Sequence, residues 1–188
     1  MNINPNIFRL YDIRGIAGSK FSDEEIAKYE KWYGPFPGIT LTPQAANLIG
    51  KAYGTIIRRK DGKKVVVGYE VRPHAKELKD AFISGVLSTG LSVADADIAL
   101  TPIIYFATAF FGFDGGVNIT GSHNVYFYNG FKLMKKDVWP LFGSELQTMR
   151  EMIEREDFVQ DREGGYEKLD GYKTYRTYYL DHIKLERK

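Results

Sequence analysis

Val65, Val66 and Val67 form an unbroken apolar run between Lys64 and Gly68, and segments of helical period lie on either side of it. A strand that is apolar on both sides needs cover on both faces, and a parallel sheet between layers of helices provides it. Upstream, Thr42 supplies an N-cap and Pro43 a first-turn proline, and Ala45, Leu48, Ala52 and Ile56 share one helical face that is expected to run out near Gly62. Downstream, Leu78, Ala81, Phe82, Gly85 and Val86 recur at helical spacing, Gly90 stops that helix, and Leu91 to Leu100 reads as a second strand. Pro102 opens a third helix running to Phe111, Gly115 to Thr120 forms a third strand, and Asn129 to Met134 forms a further strand after a loop. The pattern predicts an α/β domain of three αβα layers with a mostly parallel or mixed four-stranded sheet.

The ends of the chain are less regular. Ile7 to Gly18 reads as a short strand entering a loop, and Phe21 to Gly38, with Pro35 and Pro37, as an irregular surface excursion. Leu146, Met149, Met152 and Ile153 mark one side of a helix over Ser144 to Asp157, and a polar stretch around Gly164, Gly165, Asp170 and Gly171 follows. That division sets a domain at 1–158 and, at 159–188, a linker with the start of a second domain. Tyr172, Tyr175, Tyr179 and His182 then fall at helical spacing. Two readings of this aromatic face are equally compatible with the pattern: a helix separated from its own domain, and a terminal helix packing back on this one.

Composition narrows the function classes. The 26 Lys and Arg against 24 Asp and Glu are interspersed, so no basic stripe exists to follow a nucleic-acid backbone. No stretch approaches about 18 uninterrupted apolar residues, and Met1 to Leu10 lacks the layout of a secretory signal, so a cytoplasmic protein with no membrane partner is expected. Cysteine is absent. Disulfides, thiolate nucleophiles and sulfur-ligated zinc are therefore excluded, and chemistry must come from oxygen and nitrogen groups.

The stretch with the most chemistry is Gly116 to Met134, where a strand runs into Thr120, Gly121, Ser122, His123 and Asn124 and returns through Asn129, Gly130, Phe131 and Lys132. Loops beyond the carboxyl ends of α/β strands collect ligands, and a Ser, His, Asn cluster there suits a phosphoryl group. Adjacent Ser122 and His123 do not make a hydrolase triad, which needs a base oriented by a third group. On pattern alone a polar connecting turn is favoured. Arg14 reads equally as a loop charge, Arg72 as an anchor pairing with Glu70 or Asp97, Lys132 as a solvated strand residue, and Asn129 with Gly130 as a turn pair.

Thr120 to Lys132 resembles the phosphohexomutase signature TASHNPxxxNGxK, with Ser122, His123, Asn124, Asn129, Gly130 and Lys132 in register. Tyr11, Asp12, Ile13, Arg14 and Gly15 resemble that family's YDIRG motif, and Val67 to Arg72 resembles VGxDxR. The first of these is closer to the phosphomannomutase/phosphoglucomutase branch than to phosphoglucosamine mutases. The resemblance implies the N-terminal domain of an isomerase, an intramolecular phosphotransferase that interconverts hexose 1-phosphate and hexose 6-phosphate of glucose or mannose. In such enzymes Ser122 carries the phosphoryl group and a hexose 1,6-bisphosphate is the intermediate. Arg14 and Lys132 are then cations that neutralise transferring charge, His123 and Asn124 shape the phosphoserine loop, and Tyr11, Asn124 and Asn129 bind substrate or phosphate. Mg2+ is the implied cofactor, touched here only through the phosphate on Ser122, because the family's DGDxDR metal motif occurs nowhere in this sequence. The remaining domains of the same enzyme become expected partners, and the isolated chain is expected not to turn over.

Three positions depart from the family pattern: Gly121 for Ala, Val125 for Pro and Glu70 for Asp. Loss of the proline predicts a looser phosphoserine loop. Tyr126, Phe127 and Tyr128 beside it read either as packing for a partner domain or as a stacking platform for a sugar ring. These departures support an alternative of a different class, a noncatalytic sugar-phosphate-binding or interaction module with a drifted loop.

Overall fold

A computed structural model describes residues 3–18 and 20–184. Its elements are β1 (Ile13–Ile16), α1 (Asp23–Tyr33), α2 (Pro43–Arg58), β2 (Lys64–Tyr69), α3 (Ala75–Leu87), β3 (Ser92–Ile98), α4 (Thr101–Phe110), β4 (Gly115–Ile119), β5 (Tyr128–Lys135), α5 (Ser144–Glu154), β6 (Tyr166–Lys168) and α6 (Gly171–His182). The strands join one sheet in the order β1-β5-β4-β2-β3-β6, with β4, β2, β3 and β6 parallel and β5 and β1 antiparallel to their neighbours.

The three-layer architecture expected from the βαβ rhythm is present. Side chains of the central valine run divide between the faces: Val65 and Val67 enter the core under α2, α3 and α5, while Val66 packs under α4. Alternation along a pleated strand dictates this split. Helix α2 begins as its caps demand, with the Thr42 hydroxyl accepting from the Ala45 amide at 3.2 Å and Pro43 in the first turn.

The sheet has six strands, not four. The additional strands lie at its two edges, where hydrogen bonding defines a strand more than hydrophobic pattern does. Strand β1 is only four residues long, and β6 is three exposed residues held to β3 by the pairings Val93 with Tyr166 and Asp95 with Lys168. The segment expected to be a linker thus contains an edge strand, and α6 packs back on α4 through Tyr175 and Tyr178 against Phe106.

The segment expected to be irregular at 21–38 also differs, because it holds the eleven-residue helix α1. A capping box starts this helix: Ser22 Oγ accepts from the Glu25 amide at 3.3 Å, and Glu25 Oε2 accepts from the Ser22 amide at 2.9 Å. Pro35 and Pro37 follow its end and do not interrupt it. Tyr29 of α1 and Phe21, just before its cap, pack on Phe127 in a small separate core.

Candidate active site

Strand β4 ends at Ile119 and delivers residues 120–127 to the carboxyl edge of the sheet, next to the end of β2. The Gly121 carbonyl accepts from the Asn124 amide at 3.1 Å and from Asn124 Nδ2 at 3.0 Å, closing a turn over Ser122 and His123. Ser122 has φ of 53°, in the left-handed region that costs a non-glycine residue about 1 kcal/mol or more unless its surroundings impose it. Its amide donates to Thr120 Oγ1 at 2.8 Å, one of the bonds that hold it there.

Strand β1 brings a guanidinium to this loop. Arg14 Nε donates to Asp12 Oδ2 at 2.8 Å, Arg14 Nη1 donates to the Thr120 carbonyl, and the pair is buried. Arg14 Nη2 is buried with no hydrogen-bond partner. One guanidinium therefore holds the carbonyl that leads into the turn while a further donor stays uncommitted.

Arg14 and Ser122 line a cleft of about 520 Å³ together with Tyr11, His123 and Asn124. Arg9, Leu10, Asp12 and Tyr128 complete its wall. Lys132 and Asn129, although in the same motif, are not part of that wall. Lys132 is half-buried on β5, on the sheet face it shares with Arg14 because Arg14 pairs with Gly130 two residues away, and its side chain makes no ion pair or hydrogen bond among the described residues. Asn129 is fully buried, its Oδ1 accepting from the Gly130 amide at 2.8 Å and its Nδ2 left unpaired.

Arg72 and Glu70, which pattern reading takes as an anchor and one of its two candidate partners, support the loop from below. Glu70 accepts from Thr120 Oγ1 at 3.0 Å and from the Gly121 amide at 2.6 Å. Arg72 pairs with Glu70, Nε to Oε1 at 3.2 Å, and not with Asp97. Behind them, His74 is held toward its neutral form by burial first and by the Arg72 charge second. The i, i+2 spacing of Glu70 and Arg72 just past a strand was the available signal, since such residues point the same way.

The fold that presents this strand-to-strand loop has counterparts among known proteins. The model of phosphoglucomutase/phosphomannomutase alpha/beta/alpha domain I matches residues 5–160. The chain belongs to this family. A phosphomannomutase of Vibrio cholerae is 32% identical over 180 residues, covering 94% of this chain and 35% of that protein. A phosphoglucomutase/phosphomannomutase of Thermococcus kodakarensis is 40% identical over 157 residues, 82% of this chain and 29% of that protein. A solved structure of a phosphoglucomutase/phosphomannomutase family protein from Burkholderia thailandensis superimposes with a TM-score of 0.82 at 31% identity, covering 99% of this chain and 38% of its own. This chain thus spans about a third of the length of the relatives it matches.

Among the described residues no three His, Asp or Glu side chains converge as a metal cage. Magnesium takes about six oxygen ligands, and no such cluster occurs among the described residues, so they do not fit a complete site for it. No helix among the described residues is long and apolar enough to cross a membrane.

Proposed function

We propose that Ser122 carries the transferable phosphoryl group of a phosphohexomutase and that this chain is the domain that presents it. The observation that carries this reading is that Arg14, whose buried Nη2 has no hydrogen-bond partner, lines one cleft with Ser122, which sits on a turn held in a left-handed conformation. A buried cationic donor without a partner is costly, and an anion on the neighbouring hydroxyl offsets that cost.

In the transfer, a hydroxyl oxygen of a hexose monophosphate attacks phosphorus as the bond from phosphorus to Ser122 Oγ breaks. The sugar's proton ends on Oγ, leaving hexose 1,6-bisphosphate and free serine. The return step moves the other phosphate onto Ser122 and the proton back to the sugar, so phosphate has shifted between C1 and C6. Arg14 neutralises charge on the transferring oxygens, and Lys132, whose ammonium has no compensating anion among the described residues, lies on the same sheet face to help move the proton. His123 and Asn124 shape the turn, Tyr11 reaches the sugar from the exposed rim, and Asn129 acts on the strand that returns from the loop. Hexose phosphates of glucose or mannose are the proposed substrates. Magnesium and the segments that complete the sugar site belong to the part of the relatives' length that this chain does not span.

Intact mass of the chain, measured before and after incubation with glucose 1,6-bisphosphate and magnesium, tests the reading. A gain of one phosphoryl group that Ser122→Ala abolishes is expected. An unchanged mass, or a gain that persists in Ser122→Ala, rejects it.

A further inference from the structure

We propose that Arg72 is the positioning residue that holds the Ser122 turn in its transfer-competent shape, and that it can do so only because residue 121 is glycine. The proposal rests on the phosphoserine reading of the turn. Arg72 Nη1 donates to the Tyr128 carbonyl at 2.7 Å, and Nη2 donates to the carbonyls of Asn124 at 2.6 Å and Ser122 at 3.4 Å. With Nε engaged by Glu70, nearly all the guanidinium donors are committed, so Arg72 touches the loop backbone and leaves the phosphoryl oxygens to Arg14. The ion pair divides the work by chemistry: the Glu70 carboxylate takes the donors of residues 120 and 121, and the Arg72 fork takes the acceptors of residues 122, 124 and 128.

Space enforces the partnership. A Cβ built on Gly121 would collide with Arg72 Nη1 and Cζ and lie 2.6 Å from the Tyr128 carbonyl. Residue 121 and the guanidinium therefore compete for one volume, and any side chain at 121 expels the fork from its three carbonyls. Gly121 and Glu70, which depart from the family pattern, thus belong to one arrangement. The longer Glu70 reaches the loop amide, and the missing methyl admits the guanidinium. The clamp also restrains the turn at Val125, where the family's proline would otherwise do so.

The test uses the full chain with amide exchange of the 120–130 segment, and Ser122 labelling by glucose 1,6-bisphosphate with magnesium. Arg72→Ala and Gly121→Ala should each accelerate loop exchange about tenfold while β2 and β4 keep their protection, and the double variant should match either single one. Arg72→Lys keeps stem and charge but cannot serve three carbonyls, so it should show the same loop-only effect. Labelling at saturating bisphosphate should slow in these variants with the half-saturating concentration unchanged. Wild-type loop exchange in Gly121→Ala or Arg72→Lys, additive effects in the double variant, or a change confined to half-saturation would overturn the proposal. Absence of labelling in the wild-type chain removes the phosphoserine reading, and the exchange comparison still decides whether the clamp exists.

Discussion

The Tyr126 hydroxyl donates to Glu25 Oε1 at 3.0 Å, tying the first turn of α1 to the loop that carries Ser122. The same carboxylate closes the capping box of α1, and it is held below the ordinary glutamate range by the Ser22 amide first and by Tyr126 second. Tyr29 and Tyr128 make a parallel tie at 3.0 Å, where burial and that bond push the Tyr29 phenol up to about 12. Helix α1 is therefore a second brace on the loop. Tyr126→Phe should speed amide exchange at 124–128 roughly threefold and leave the melting temperature almost unchanged, since the bond is at the surface. A large fall in melting temperature would show that α1 is integral to the core instead.

Asp95 is fully buried in the middle of β3, where its carboxylate accepts from Lys79 Nζ at 2.7 Å, Tyr166 Oη at 2.7 Å and Lys168 Nζ at 2.9 Å. Burial alone would raise its pKa, but these donors win and lower it to about 2. A carboxylate depressed in the folded state stabilises above its unfolded pKa and loses that contribution as pH falls toward the folded value. Between about pH 4 and pH 2 the chain should lose about 2 kcal/mol from this group, visible in urea unfolding as a pH dependence that Asp95→Asn lacks. The substitution itself should cost about 2–3 kcal/mol at neutral pH, because it removes the buried partner of Lys79 and leaves that ammonium only its pair with the exposed Asp80 at 3.1 Å.

Gly85 faces Asn47 across the α2–α3 contact, and a Cβ there would strike the Asn47 carbonyl and lie 2.9 Å from the Lys51 amide. Alanine improves helix propensity by about 1 kcal/mol, but both obstacles are backbone and neither yields without separating the helices. Gly85→Ala should therefore destabilise by about 1–3 kcal/mol, measured by chemical denaturation. A stabilised variant would mean that the helices are farther apart than the structure places them.

Arg14 offers a fork that Lys cannot copy, with one edge on Asp12 and the Thr120 carbonyl and Nη2 unpaired. Arg14→Lys should slow Ser122 labelling by about 100-fold at saturating bisphosphate while the fold survives, as judged by near-ultraviolet circular dichroism. Wild-type labelling would show that positive charge alone suffices and that the fork has no role in transfer.

The central elements were legible because each carries its own signal. Helix α2 has its Thr42–Pro43 start, β2 its valine run, and α3 and α4 their periodic apolar faces. Helix α1 was obscured because its aromatic residues scatter among charges and two prolines follow, although Ser22 and Glu25 stand at capping-box spacing. Strand β6 had no legible pattern, since its three residues are exposed and only the ladder to β3 and the Asp95 bonds make it a strand. Tyr11, Arg14, Ser122, His123 and Asn124 were picked out from motif register and share one cleft wall, whereas Lys132 and Asn129 of the same motif lie off it. Pleating turns Asn129 to the other face of the sheet, whereas Lys132 shares the face of Arg14 and lies two residues farther along β5 than Gly130, the residue that pairs with Arg14.

The amino-acid sequence by itself determined the layers, the order of the central elements and the loop on which the chemistry is proposed to rest, because period, caps and local spacing act over a few residues. Tertiary structure alone decided which side chains meet. Arg72 and Gly121 are about fifty positions apart, and their shared volume exists only once β2 and β4 pair in register and place both at the same edge of the sheet. Local preferences specify elements, but a contact between distant residues depends on the summed geometry of every element between them.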